Sequence, residues 1–180
     1  MKTRIALLRG INVGGKHTLP MKELTAVLEG LGAREIRTYL QSGNAVFAGP
    51  GQGCAPLAKA IQAAVRQRRG FEPQVLLVDV EDLERAVRQN PYPDAVAAPS
   101  TLHLGFLAAA PAKPDLKSLE GLRKESERFR LIDRVFYLHA PDGVARSRLA
   151  TGAERLLGVP MTDRNWRTVS ALLEMARGPR

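Results

Sequence analysis

The sequence predicts an α+β fold made of two ferredoxin-like (split βαβ) halves with antiparallel sheets, and three observations lead to this prediction. The first half follows the order strand, helix, strand, strand, helix, strand. Its two middle strands are separated only by Ser42-Gly43, the composition of a tight hairpin turn, and a hairpin requires antiparallel pairing. The same order recurs after residue 100, without a last strand and with C-terminal helices after it.

Hydrophobic periodicity and turn residues place the elements of the first unit, residues 1–89. Residues 4–9 form an aliphatic strand. Pro20 suits the first turn of a helix whose apolar residues recur at helical spacing, and Gly32 ends that helix. The remaining elements are expected to be strands over 36–41 and 44–48, a helix over 57–69, a strand over 73–80 and a short helix over 81–90.

Residues 90–99, NPYPDAVAAP, contain three prolines and no periodicity, which predicts a linker. The second unit, residues 100–180, then repeats the pattern. Trp166 is expected to anchor the apolar face of a final helix, which Thr162 or Asp163 would cap. The other elements are expected to be a strand over 102–109, a helix over 115–124, a hairpin of strands 128–132 and 135–139, and a helix over 143–156.

Composition and charge favour a soluble protein with an anionic partner. The chain of 180 residues is 44% hydrophobic and 25% charged, which is typical of a globular protein. Cys54 is its single cysteine, so no intramolecular disulfide forms, and no stretch has the length of a signal peptide core or a membrane span. We therefore expect a cytoplasmic protein without membrane partners. The net charge of +9 indicates nucleic acid or a phosphorylated metabolite as ligand, or a compositional bias toward arginine.

Residues 10–17, GINVGGKH, differ by one residue from the phosphate-binding pattern G-x-x-x-x-G-K-[ST] of nucleotide hydrolases. His17 stands where a hydroxyl would hold Mg²⁺, a cation that prefers oxygen ligands. Pro20 delays the helix that should begin at Lys16, and the Ser42-Gly43 hairpin argues against the parallel sheet of those enzymes. ATP or GTP hydrolysis is therefore disfavoured.

The same loop remains the first candidate for an anion site, because backbone N–H groups in glycine-rich loops can converge on an anion. The alternative is an ordinary long turn. Polar residues of the hairpin turn could add donors to this surface, or could serve the turn alone. Two further candidates are basic residues at predicted helix starts, where a solvated stretch or a helix cap is the alternative. The candidate ligand-binding residues are Arg9, Asn12, Gly14, Gly15, Lys16, Gln41, Ser42, Asn44, Arg146, Ser147, Arg148, Arg164 and Asn165.

Catalytic and cofactor signals are weak. His17, His103 and His139 are isolated and lack the spacing of metal ligands, so we expect no metal and no cofactor. His103 and His139 lie in expected strands and are interpreted as structural. Cys54 precedes a helix, a position that can lower the pKa of a thiol, but nothing else supports it as a nucleophile. The first-half strands offer only two aromatic residues for stacking on RNA bases, which disfavours sequence-specific RNA recognition.

Five segments occur together in a recognisable order: RGINVGGK (9–16) followed by Pro20-Met21, TYLQSGN (38–44), NPYP (90–93), RSRL (146–149) and TDRNW (162–166). In this combination, which spans about residues 4–177, the chain resembles the bacterial family catalogued as domain of unknown function 1697. It departs from the commoner family sequence at His17, where Asn is frequent, and at Arg148, where Lys is frequent. The resemblance implies a compact α+β protein of ferredoxin-like halves and carries no established activity.

The sequence therefore favours a protein that binds an anionic ligand, with nucleic acid as one candidate class, at its glycine-rich basic loop. Two alternatives stay open: an enzyme or binder of a small phosphorylated or carboxylated metabolite, and a protein-interaction or structural role. The sequence assigns no reaction and no oligomeric state.

Overall fold

Two four-stranded antiparallel sheets and six α-helices make up residues 1–178, the part of the chain that the computed structural model describes. The α+β class and the antiparallel sheets are confirmed. In chain order the elements are β1 (Lys2–Arg9), α1 (Met21–Gly30), β2 (Arg34–Tyr39), β3 (Asn44–Gly49), α2 (Cys54–Arg69), β4 (Gln74–Asp79), α3 (Val80–Arg88), a 3₁₀-helix (Pro93–Ala97), β5 (Leu102–Leu107), α4 (Leu116–Leu122), β6 (Arg128–Ile132), β7 (Val135–His139), α5 (Arg148–Leu157), β8 (Met161–Asn165) and α6 (Trp166–Arg177).

The first sheet has the strand order β2-β3-β1-β4, with β1 antiparallel to both of its neighbours. Leu7 of β1 pairs with Asn44 on one side and Leu76 on the other. The predicted hairpin of β2 and β3 is present. Leu24 and Leu28 of α1 and Ile61 of α2 are fully buried with the residues of this sheet, so both helices cover one face of it. This arrangement places the end of β1, and the glycine-rich loop that follows, next to the turn between β2 and β3.

The second sheet has the order β6-β7-β5-β8, and it corrects the expectation that the second unit lacks its last strand. The strand is β8, whose sequence MTDRN pairs with β5 in antiparallel register. It lies at the sheet edge, and only Thr162 of its five residues is buried. Backbone pairing rather than an alternation of apolar residues therefore defines this strand, and hydrophobic periodicity gave no signal for it.

Side-chain caps set the starts of the helices in the second half. The Oγ of Ser147 accepts a hydrogen bond from the N–H of Ala150 (3.0 Å), so α5 begins at Arg148 and not at residue 143 as expected. The last helix is capped by Asn165, whose Oδ1 accepts from the N–H of Thr168 (3.0 Å). The expected caps, Thr162 and Asp163, lie inside β8 instead, because the helix starts directly after that strand.

The chain divides into two compact units. Residues Met1–Arg85 form the first unit together with residues from Ala171 onward, and Ala86–Ser170 form the second. Segment 90–99, expected as a linker, contains the 3₁₀-helix and lies inside the second unit, where Tyr92 and Ala95 are buried. The burial of these two side chains explains why a proline-rich segment is ordered here.

Replacing Ser147 by Ala should lower the free energy of unfolding by about 1 kcal/mol, because the side-chain cap of α5 is lost. Ser147→Thr keeps the hydroxyl and should recover most of the loss. The neighbouring exposed Arg146 offers a control, since Arg146→Ala should change stability by less than about 0.5 kcal/mol. Urea unfolding followed by circular dichroism measures all three, and equal stabilities of the Ser147→Ala variant and the wild type would refute the capping role.

Candidate functional site

The glycine-rich loop of the first unit is a small β-hairpin over residues 12–17. The N–H of its first residue donates to the carbonyl of its last (3.1 Å), and the N–H of Lys16 donates to the carbonyl of Val13 (3.1 Å). Gly14 and Gly15 form the tip with φ of 58° and 70°, both left-handed, as a type I′ turn requires. Two amides that could have faced an anion are therefore used inside the hairpin, and the exposed Lys16 side chain is the charged group at its tip.

Asn12 clamps this hairpin to the turn between β2 and β3. Its Nδ2 donates to the carbonyl oxygens of Leu19 (2.9 Å) and Gln41 (2.7 Å), and its Oδ1 accepts from the N–H of Leu19 (2.8 Å). These bonds occupy the side-chain amide on both its oxygen and its nitrogen. The structure thus brings together two of the segments predicted to share a surface. We call the surface formed by residues 12–17 and 40–43 the loop face.

His17, which replaces the expected hydroxyl residue, has a packing role. Its ring stacks on Phe71 with centroids 4.8 Å apart and an angle of 19° between the planes, and its Nδ1 lies 3.1 Å from the carbonyl oxygen of Gly10. Behind it, Arg69 donates to the carbonyl oxygen of Thr18 (2.9 Å). Phe71 and Arg69 were not among the candidate residues. Their contacts span more than 50 positions along the chain, and sequence spacing gives no signal at that range.

A buried side chain stabilises the turn between β2 and β3 by hydrogen bonds. Asn44 is completely buried, and its Nδ2 donates to the carbonyl oxygen of Tyr39 (2.7 Å) and to the Oγ of Ser42 (3.1 Å). Gly43 has φ of 94°, and a Cβ at this position would lie 2.6 Å from Cδ1 of Ile11. Asn44 therefore supports the turn from the core, whereas Ser42 and Gln41 reach solvent.

Backbone strain and exposed apolar side chains coincide on the loop face. Leu40 has φ of 59° and is 53% exposed, and Val13 is 72% exposed. A left-handed conformation costs a non-glycine residue roughly 1 kcal/mol or more, and such residues cluster at active sites, ligand clamps and switch regions. Three of the five left-handed non-glycine residues in the described part of the chain lie here; the five are Asn12, His17, Glu35, Leu40 and Asp133.

The remaining candidate residues lie outside the loop face. Arg9 lies at the end of β1, where its Nη1 donates to Oε1 of Gln74 on β4 (3.2 Å). The others belong to the second unit and are not part of the loop face. Ser147 and Asn165 act as helix caps, as described above, and Arg146 and Arg148 are exposed. Burial lowers the pKa of the half-buried Arg164, against the opposing charge of Asp163.

His103 and Asp163 form a pair in the second unit that the sequence did not predict. Nδ1 of His103 lies 2.7 Å from Oδ2 of Asp163, and Nε2 lies 3.0 Å from the carbonyl oxygen of Ser100. Both ring nitrogens thus face acceptors, an arrangement that only the doubly protonated imidazolium satisfies. Burial by itself would lower the pKa of His103, but the hydrogen bond and charge of Asp163 outweigh it and raise this pKa.

Cys54 is not an activated thiol. It lies at the start of α2, a position that can lower the pKa of a thiol, yet burial and the neighbouring Asp79 carboxylate raise the pKa of this thiol. Its Sγ is 3.5 Å from Oδ1 of Asp79, to which it donates. Within residues 1–178, no group of three or more His, Cys, Asp or Glu side chains is placed to hold a metal ion. None of the helices described there is long and apolar enough to cross a membrane.

Comparison with known proteins identifies the family. The family model described as protein of unknown function (DUF1697) matches residues 1–137. The chain belongs to this family. The solved structure of conserved bacterial protein SP0830 from Streptococcus pneumoniae is similar to this DUF1697 protein, with a TM-score of 0.73 and 22% identity over 97% of this chain and 98% of that one. This likeness shows the fold alone. No curated protein matches the chain.

Asn12→Ala should lower the free energy of unfolding by about 2 kcal/mol, because three hydrogen bonds are lost and alanine tolerates the left-handed backbone poorly. Asn12→Gly loses the same bonds without the backbone strain and should be destabilised less. Urea unfolding measures both variants. An alanine variant within about 0.5 kcal/mol of the wild type would contradict the clamp.

Stability should depend on pH through His103. Because its folded-state pKa is raised, the imidazolium contributes stability that is complete below the usual pKa of 6.5 and is lost as the pH rises through the folded pKa. His103→Gln should remove this loss. The lowered pKa of His139 acts in the opposite direction in both proteins, so the difference between them isolates His103. Urea unfolding of both proteins between about pH 5.5 and 8.5 gives the two curves, and parallel curves would refute the role of His103.

Proposed function

We propose that this DUF1697 protein binds an anionic macromolecule, with nucleic acid as the favoured class, on the loop face of its first unit. One observation carries the proposal: two exposed loops are locked together by Asn12 and hold several non-glycine residues in left-handed conformations. A surface that is both strained and exposed is more consistent with recognition than with folding, which gains nothing from the strain.

The anionic class follows from the charge at the tip of the hairpin. Lys16 is exposed, and it takes part in none of the ion pairs found within residues 1–178, so its charge is available to a ligand. The net charge does not select between the units, because residues 1–85 have twelve Lys and Arg against eight Asp and Glu, and residues 86–170 have thirteen against nine. The choice of the loop face therefore depends on its local structure.

A macromolecule fits this surface better than a small metabolite does. Residues 13–18 are all exposed, whereas small-molecule sites are concave and bury most of the ligand. The amides of residues 12 and 16 are used within the hairpin, so a phosphate group would be contacted mainly by side chains. Side-chain contacts to phosphates position a nucleic acid without reading its sequence, which agrees with the absence of Phe, Tyr and Trp among 12–17 and 40–43.

The proposal also includes a ferredoxin-like topology for each unit and a cytoplasmic location for the protein. Each unit is assigned the ferredoxin-like topology, because one helix follows the first strand, another follows the third, and the fourth strand pairs beside the first. A cytoplasmic location is supported by the free thiol of Cys54.

Lys16→Ala should weaken binding of a fluorescent oligonucleotide several-fold, because a phosphate contact is lost. The slope of log Kd against log salt should fall by about 1. Lys59→Ala removes an exposed lysine from α2 and serves as the matched control. Fluorescence anisotropy between about 50 and 200 mM salt measures both variants. Equal losses in the two variants would reject the loop face as the site, and binding insensitive to salt would reject phosphate recognition.

A further inference from the structure

A cavity of about 250 Å³ lies in the second unit between α5 and its sheet. Apolar side chains form most of its wall, and its two exposed lining residues, Thr151 and Asp163, mark the opening to solvent. For comparison, a cavity of roughly 150 Å³ suffices for benzene. The lining residues are Phe136, Leu138, Val144, Ala150, Thr151, Ala153, Met161 and Asp163.

Gly105 in the central strand β5 leaves room for Met161, one of the wall residues of this cavity. In the sheet register Gly105 pairs with Asp163 on one side and Phe136 on the other. A Cβ at Gly105 would lie 2.3 Å from Sδ of Met161, so the methionine side chain lies directly over the glycine. On the same strand, His103 reaches diagonally across to Asp163 of β8. The glycine therefore accommodates the methionine wall.

The polar groups at the opening are acceptors. Among the described contacts of the Asp163 carboxylate, the one hydrogen bond is that from His103 to Oδ2. The hydroxyl of Thr151 donates its proton to the carbonyl oxygen of Ser147 (3.0 Å), so only its lone pairs can face a ligand. A ligand of this cavity must therefore donate hydrogen bonds at the opening and present an apolar body to Phe136 and the other wall residues.

We propose that the cavity binds a small amine with an aromatic or aliphatic body, whose ammonium group donates to Asp163. The apolar body lies against Phe136 and Met161. His103 acts as a positioning residue, since its hydrogen bond fixes the carboxylate at the opening, and it is buried out of reach of the ligand. The ammonium recognition is charge-assisted, which favours an amine over a neutral alcohol of the same shape. This site lies within the second unit and is independent of the function proposed for the loop face.

The probe is 2-phenylethylamine, compared with 2-phenylethanol and 3-phenylpropionate, which share its ring but carry a neutral or an anionic end. Labelling the four methionine methyl groups with ¹³C gives a simple NMR spectrum in which Met161 reports on the wall, and Met161→Leu assigns its signal. The amine should shift this signal at concentrations up to about 10 mM, at least tenfold more tightly than the alcohol, and the acid should not bind. No shift with the amine, equal binding of amine and alcohol, or binding of the acid would overturn the proposal.

Variants test each part of the site in the full chain. Ala150→Phe fills the cavity and should abolish binding of both the amine and the alcohol. Asp163→Asn should remove the tenfold preference for the amine while leaving binding of the alcohol. Asp133→Asn makes the same chemical change at an exposed turn outside the cavity and should bind as the wild type does. Retained amine binding in Ala150→Phe, or a retained preference in Asp163→Asn, would refute the site. A circular dichroism spectrum like that of the wild type, with cooperative urea unfolding, verifies that each variant is folded.

Discussion

Each sheet depends on the first strand of its unit, which is one of the two strands in the sheet that are hydrogen-bonded on both sides. In the first unit this strand is β1, where Ile5, Ala6, Leu7 and Leu8 are essentially inaccessible to solvent. In the second unit it is β5, all six residues of which are buried. Both proposed sites derive from these strands. The loop face follows the end of β1 directly, and the Met161 wall of the cavity lies over Gly105 of β5.

The glycine-rich loop illustrates how a motif depends on its surroundings. In a nucleotide-binding loop the helix begins at the lysine, so that its free N–H groups face the phosphates. Here α1 begins at Met21, five residues after Lys16, and the intervening chain forms a hairpin that uses its own amides. The sequence resembles a phosphate cradle, yet the fold converts it into an exposed turn with a lysine at its tip.

The two proposed sites have opposite chemistry, and neither of them follows from the family resemblance. The loop face is exposed and presents a cation, whereas the cavity is concave, mostly apolar and lined at its opening by acceptors. Membership in DUF1697 and the likeness to SP0830 establish family and fold, and neither supplies a ligand. Both assignments therefore rest on side-chain geometry.

Signals that act over a few residues allowed the sequence by itself to determine much of this protein. Periodicity and the Ser42-Gly43 turn predicted the α+β class and the first hairpin, since such turns and amphipathic patterns are local. The tertiary structure alone decided the edge strand β8, whose residues are mostly polar and which is defined by pairing with β5. It also decided which polar groups meet: Asn12 with Gln41, 29 positions away, and His103 with Asp163, 60 positions away. Hydrogen bonds at such distances depend on strand order and register, because these place distant segments side by side, and no local pattern encodes them.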